Sequence, residues 1–169
     1  MSLPHEDVAW LEKLQPLITA ISDSYGLPAA LVGAIVSRES GGGRLLGKNG
    51  CPPGTGDRGH GRGLMQIDDR WHTGFLGIGD LWTYPAANIS YGCWILRTNL
   101  DWVERRQEFT GMSEEEQLRT AVAAYNTGPG RVSRAVREGK GVDYYTFGGD
   151  YSEDVFHRKS TLAKMGWKD

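Results

Sequence analysis

Ten of the chain's 24 glycines fall between Gly41 and Gly63. No regular element tolerates that density, because a glycine inside a helix or strand costs about 0.5–1 kcal/mol relative to alanine. With Pro52-Pro53 in its middle, the stretch Arg44–Arg62 therefore reads as turn and loop, and it is the one long structureless segment of the chain. The segments on either side carry helical patterning. Leu11, Leu14, Ile18 and Ile21 recur at intervals of three and four from Val8 to Tyr25, with Pro16 as a kink or a fresh start and Gly26 as the stop. Pro28 suits a first helical position, and Leu31, Val32, Ile35 and Val36 form an apolar face that runs until Gly41–Gly43. Glu39 thereby falls in a last helical turn.

Beyond the loop, Gly63–Asp68 is short and apolar between turn signals, which predicts an extended segment or short strand. Ile89, Cys93, Leu96, Leu100 and Val103 predict a long helix over 86–107 with one buried stripe. Ser113 with Glu116 is a capping-box signature before Leu118, Val122 and Tyr125, and Gly128 is placed to close that helix. Val132–Glu138 predicts a short helix, and Asp150 an N-cap for a last helix running to Lys164. The expected architecture is mainly α, of the α+β type, with a small extended or β region inserted after the second helix. At 169 residues the chain suits one domain over residues 8–169, with residues 1–7 a flexible N-terminus or a vector-derived remnant.

A formal net charge of −2 removes the electrostatic pull toward phosphate that a nucleic-acid binder needs, so nucleic acid is not an expected partner. No apolar run approaches the roughly 18–20 residues that span a bilayer, so no membrane insertion is expected either. Six Trp and seven Tyr exceed what a core of this length requires. Flat amphipathic rings of this kind line sugar-binding clefts, which raises a carbohydrate partner. Two cysteines permit one disulfide, but Cys93 lies on the buried helical stripe and reads as a free thiol.

Glu39 follows Val36 and Ile35 by three and four positions, so on a helix it projects from the apolar side. Desolvation there favours the protonated carboxyl, which is what a general acid near neutral pH requires. A surface Glu paired to Arg38 or Arg44 is the alternative. Asp57 and Asp68 follow in and after the glycine-rich loop. A glycosidase needs an acid on the leaving oxygen and a second carboxylate that attacks the sugar or activates water, and these three residues are that inventory. Loop aspartates between glycines are also ordinary turn formers. Competing motifs fail on context. The string Gly54–Gly59 matches G-x-G-x-x-G, but Pro52-Pro53 precedes it where a strand should end and no helical pattern follows. Cys51, Asp57, His60 and His72 lack zinc-ligand spacing, and neither Ser37 nor Ser40 sits in a nucleophile elbow, so no metal and no cofactor is expected.

Four blocks resemble the goose-type lysozymes, of the lysozyme-like and soluble lytic transglycosylase superfamily. Ser37-Arg38-Glu39-Ser40 before glycine is similar to the family's catalytic helix end. Gly56-Asp57-Arg58-Gly59, Gly61 and Gly63-Leu64-Met65-Gln66-Ile67-Asp68 resemble its catalytic loop and strand. Ala124-Tyr125-Asn126-Thr127-Gly128-Pro129-Gly130 is similar to a later cleft motif, and Asp150-Tyr151, Asp154-Val155 and Arg158 to the final helix. The resemblance implies an inverting muramidase cleaving the β-1,4 bond between N-acetylmuramic acid and N-acetylglucosamine. Glu39 would be the general acid, with Asp57 and Asp68 holding and activating water across a carboxyl spacing of about 6.5–9.5 Å. It also implies substrate contacts from His72, Met65, Gln66, Tyr125, Asn126 and Tyr151, although Met65 as core filler and Tyr125 as helix-face packing stay open. The implied partners are peptidoglycan glycan strands or chitin oligosaccharides, met by a monomer outside the cell or in the wall or periplasm. The Arg44–Thr55 segment is longer than the resemblance to the vertebrate members implies, and the chain lacks the paired disulfides and the basic charge of the bird enzymes. Two alternatives remain: a lytic transglycosylase, which uses the sugar's own 6-hydroxyl and generally lacks counterparts of the two aspartates, and a non-catalytic wall-binding module.

Overall fold

The computed structural model describes residues 3–169, and they form a mainly helical molecule with a small sheet. In order these are α1 (His5–Ser24), α2 (Ala29–Ser40), β1 (Thr55–Gly56), β2 (Gly61–Arg62), β3 (Ile67–Asp68), α3 (Thr73–Leu76), α4 (Pro85–Glu104), α5 (Glu114–Thr127), α6 (Pro129–Arg137) and α7 (Tyr151–Lys164). The chain divides into two compact units, Met1–Cys93 with Arg158–Asp169, and Trp94–His157, so α4 and α7 each contribute to both.

In the first unit α1 packs on α2. Leu11 and Ile18 of α1 and Leu31, Val32, Ile35 and Val36 of α2 are fully buried, as their spacing predicts. Pro16 lies inside a continuous α1, and that helix begins at His5, three residues before the Val8 expected from apolar periodicity. Asp7 is in its first turn and buried. The glycines stop α2 as expected: Gly41 takes the left-handed conformation (φ 59°) and its N–H bonds the carbonyl of Ser37. Gly33 lets Trp167 close on α2, since a Cβ there would lie 2.6 Å from the indole ring.

Two expectations in this unit need correction. The glycine-rich loop, read as lacking regular structure, contains β1, a 3₁₀ turn over Asp57–Gly59 and β2, and these join β3 in an antiparallel sheet ordered β1-β2-β3. Strands of two residues show no alternation for a sequence to reveal. Conversely, only Ile67–Asp68 of the expected extended segment 63–68 is strand, because Gly63 (φ 71°) and Gln66 (φ 49°) are left-handed and turn the chain. Among the described residues Cys51 and Cys93 are free thiols, and burial pushes the Cys93 thiol up to about 12.

In the second unit α5 packs on α6, and Phe109, Val122 and Val132 are buried. The capping box is formed in full: Ser113 Oγ accepts from the Glu116 N–H at 3.3 Å and Glu116 Oε2 accepts from the Ser113 N–H at 2.8 Å. Ser113→Ala is expected to cost about 1 kcal/mol, read as a lowered urea midpoint at unchanged m-value. The last helix starts at Tyr151 as expected, and Asp143 accepts from the Ser152 N–H (2.8 Å), the Glu153 N–H (3.2 Å) and Ser152 Oγ (2.6 Å) at that end. No helix of the described residues is long and apolar enough to cross a membrane.

Candidate active site

Glu39 is the penultimate residue of α2 and is half-buried. Its neighbour Ser40 fixes that helix end: Ser40 Oγ donates to the Leu64 carbonyl at 2.7 Å, across to the turn after β2, and accepts from the Gly43 N–H at 3.1 Å. The turn is held in place from α4. Asn88, itself buried, accepts from the Met65 N–H at 2.9 Å and donates to the Arg62 carbonyl at 3.0 Å. The backbone on which Glu39 and Asp68 sit is thus tied together by side-chain bonds to main-chain groups, which resist rotation more than packing alone.

The glycines of the Gly56–Gly61 loop have a specific occupant. Gln66 Oε1 lies where a Cβ on Gly56 or Gly61 would stand, 2.2 Å from each, and Gln66 Nε2 donates to the Gly63 carbonyl at 2.9 Å. A side chain at either glycine would expel Gln66 from the fold of the sheet. Asp57 is left-handed (φ 43°) and so is Arg58 (φ 56°), a conformation that non-glycine residues adopt at a cost of about 1–3 kcal/mol. The strain falls on a residue singled out for chemistry.

Asp57 and Asp68 are brought together by Arg70. Its Nη2 donates to Asp68 Oδ2 at 2.6 Å and to Asp57 Oδ2 at 3.1 Å, its Nε lies 2.9 and 3.1 Å from the two oxygens of Asp68, and its backbone N–H donates to Asp68 Oδ1 at 2.9 Å. Because both aspartates bond the same nitrogen atom, their carboxylates face each other across it. The Arg70 guanidinium holds the Asp68 carboxyl below the usual range, against a smaller opposing effect of burial. Asp69, next in the chain, turns instead to Arg62 (2.8 Å) and His60 (2.9 Å).

The other expected contacts are placed as follows. His72 Nδ1 meets Tyr91 Oη at 3.2 Å, and Tyr91 stacks on Phe75 at 4.0 Å. Burial lowers the His72 pKa, with the Asp68 charge opposing, so its imidazole is neutral at pH 7. Met65 has no exposed surface and packs on Gly92, so it supports the turn from beneath. In the second unit Tyr125 and Asn126 lie at the end of α5, half-buried, and Asn126 Oδ1 accepts from the Phe147 N–H at 2.8 Å. Tyr151 is buried at the start of α7. Sequence reasoning passed over Arg70 and Asn88. Arg70 had a signal, its place two residues after Asp68 and two before His72; Asn88 stands unmarked among helical residues.

The family model for lysozyme g matches residues 1–166. The chain is 34% identical over 167 residues to lysozyme g of Gallus gallus, which covers 98% of this chain and 71% of that protein. It is 32% identical over 165 residues to lysozyme g of Cyprinus carpio (98% and 80%) and 33% identical over 159 residues to that of Epinephelus coioides (93% and 78%). With the family model matched over residues 1–166 and these identities running along nearly the whole chain, the protein belongs to the lysozyme g family and is a glycoside hydrolase.

Proposed function

We propose that the enzyme hydrolyses the β-1,4 bond between N-acetylmuramic acid and N-acetylglucosamine in peptidoglycan, with inversion, acting as a monomer outside the cell or in the cell wall or periplasm. Glu39 protonates the leaving oxygen, and Asp57 and Asp68 hold and activate the attacking water. The observation that carries this reading is the meeting of the two aspartates on Arg70, in the same unit as Glu39. A pair of carboxylates held in place is what water activation needs and what attack by the sugar's own hydroxyl does not. Gln66 and His72, in the same unit as Glu39, are assigned to the glycan, with His72 Nε2 the imidazole nitrogen turned from Tyr91.

Digestion of purified peptidoglycan in water enriched in heavy oxygen tests the reading, with mass spectrometry of the released fragments. Labelled, hydrated reducing ends are expected. Unlabelled 1,6-anhydro ends would mean transglycosylation and return the aspartates to a structural role in the loop. Asp57→Asn and Asp68→Asn are each expected to lower kcat with little change in glycan affinity, because water activation acts on the transition state. An Asp57→Asn enzyme with the full rate would remove Asp57 from the site.

A further inference from the structure

We propose that Arg70 is a positioning residue of this enzyme, a clamp that holds Asp57 and Asp68 together around the attacking water; the inference rests on the hydrolytic reading above. Two carboxylates brought face to face repel, and the ordinary response is for one to take up a proton. A half-protonated pair has lost part of its capacity to accept a proton from water. Arg70 removes the conflict by charge and by geometry at once. One guanidinium edge, Nε with Nη2, lies along both oxygens of Asp68, while Nη2 also reaches Asp57. A guanidinium presents donors in a rigid plane, so a bond to one carboxylate fixes the direction of the bond to the other. Its backbone N–H adds a further bond to Asp68, so the side chain that spans the pair is anchored at both ends.

The contacts also divide the oxygens. Arg70 engages Asp68 Oδ1, Asp68 Oδ2 and Asp57 Oδ2, and among the described residues no protein donor reaches Asp57 Oδ1. That oxygen is left to water. The ionisable groups around the pair are Asp69, which bonds Arg62 and His60, His72, and Arg58 next to Asp57 in the chain; Arg70 is the cation that acts on Asp68.

A surface ion pair kept only for stability would look similar, since the side chains of Arg70, Asp57 and Asp68 are 51%, 63% and 29% exposed. Such pairs contribute little to folding. The two roles separate in kinetics. Arg70→Gln is expected to lower kcat about tenfold or more with KM nearly unchanged, while Tm stays within a few degrees of the wild type. Because Arg70 holds the Asp68 carboxyl low, its loss lets that carboxyl protonate at higher pH. The acid limb of the kcat profile, where activity disappears as pH falls, then moves to higher pH. Arg70→Lys keeps the charge but not the plane, and is expected to fall between the two in both rate and limb position. Wild-type kcat and an unmoved acid limb in Arg70→Gln overturn the clamp; should that variant not fold, the same result in Arg70→Lys does so. The product assay is run alongside on the wild type. Anhydro ends there defeat the hydrolytic reading and the clamp with it, whereas labelled ends with a full-rate Arg70→Gln defeat the clamp alone.

Discussion

Glu39→Gln is expected to lower kcat on peptidoglycan fragments by about 10²–10⁴-fold, the usual yield of a positioned general acid. On the barrier this is about 3–5 kcal/mol. Gln has nearly the shape of Glu and keeps hydrogen-bonding capacity, so the half-buried end of α2, with Ser40 bonded to the Leu64 carbonyl, has no reason to move. What disappears is the proton. Asp57 and Asp68 would still present a water, but the departing sugar would have to leave as an alkoxide. The loss belongs to the transition state, so affinity for an unreactive glycan oligomer, measured by calorimetry, should change little. Equal loss of affinity and rate would make Glu39 a substrate-holding residue instead. Undiminished release of fragments would place the acid elsewhere.

The helices that carry this site were legible because their signals are local. Leu31, Val32, Ile35 and Val36 repeat within one element, Gly41 ends it in the left-handed conformation, and Ser113 and Glu116 are three residues apart. Glu39 could be placed on a helix end from those marks alone. The sheet could not be read in the same way. Its strands are two residues long, and the reason for Gly56 and Gly61 is a third residue, Gln66, whose left-handed backbone nothing in its neighbours announces. Those glycines thus answer to the packing of one amide. Asp57 and Asp68 were named as separate candidates. Their meeting depends on Arg70, and only a folded loop shows that one guanidinium reaches both. The long-range partners were the least visible of all: Ser37 bonds Asp7 from 30 positions away and Arg158 from 121.

That last network carries the largest expected effect on stability. Asp7→Ala is expected to cost about 3 kcal/mol of folding free energy, against less than about 1 kcal/mol for Asp101→Ala, whose partner Arg97 lies in an exposed i,i+4 pair. The Asp7 side chain is 2% exposed. Its Oδ1 accepts from Arg44 Nη2 at 2.8 Å, and its Oδ2 accepts from Ser37 Oγ at 2.8 Å with Arg158 Nη1 3.5 Å away. Arg158 in turn donates to Ser37 Oγ at 2.7 Å. Removing the carboxylate takes from the guanidinium of Arg158, only 8% exposed, one negative charge 3.5 Å away, whereas Arg44 at 32% can regain water. The penalty therefore falls at the low end of the range for broken buried pairs. Asp7→Asn should restore little, since its amide nitrogen presents a donor to donors. Urea unfolding at neutral pH measures both variants; a midpoint shift no larger than that of Asp101→Ala would show the network to be dispensable. The same bonds reach Ser37, two residues before Glu39, and a Cβ on Gly41 would stand 2.9 Å from Asp7 Oδ1. The first turn of α1 thus braces the helix end that carries the acid, and in a folded Asp7→Ala enzyme kcat should fall further than the unfolded fraction accounts for.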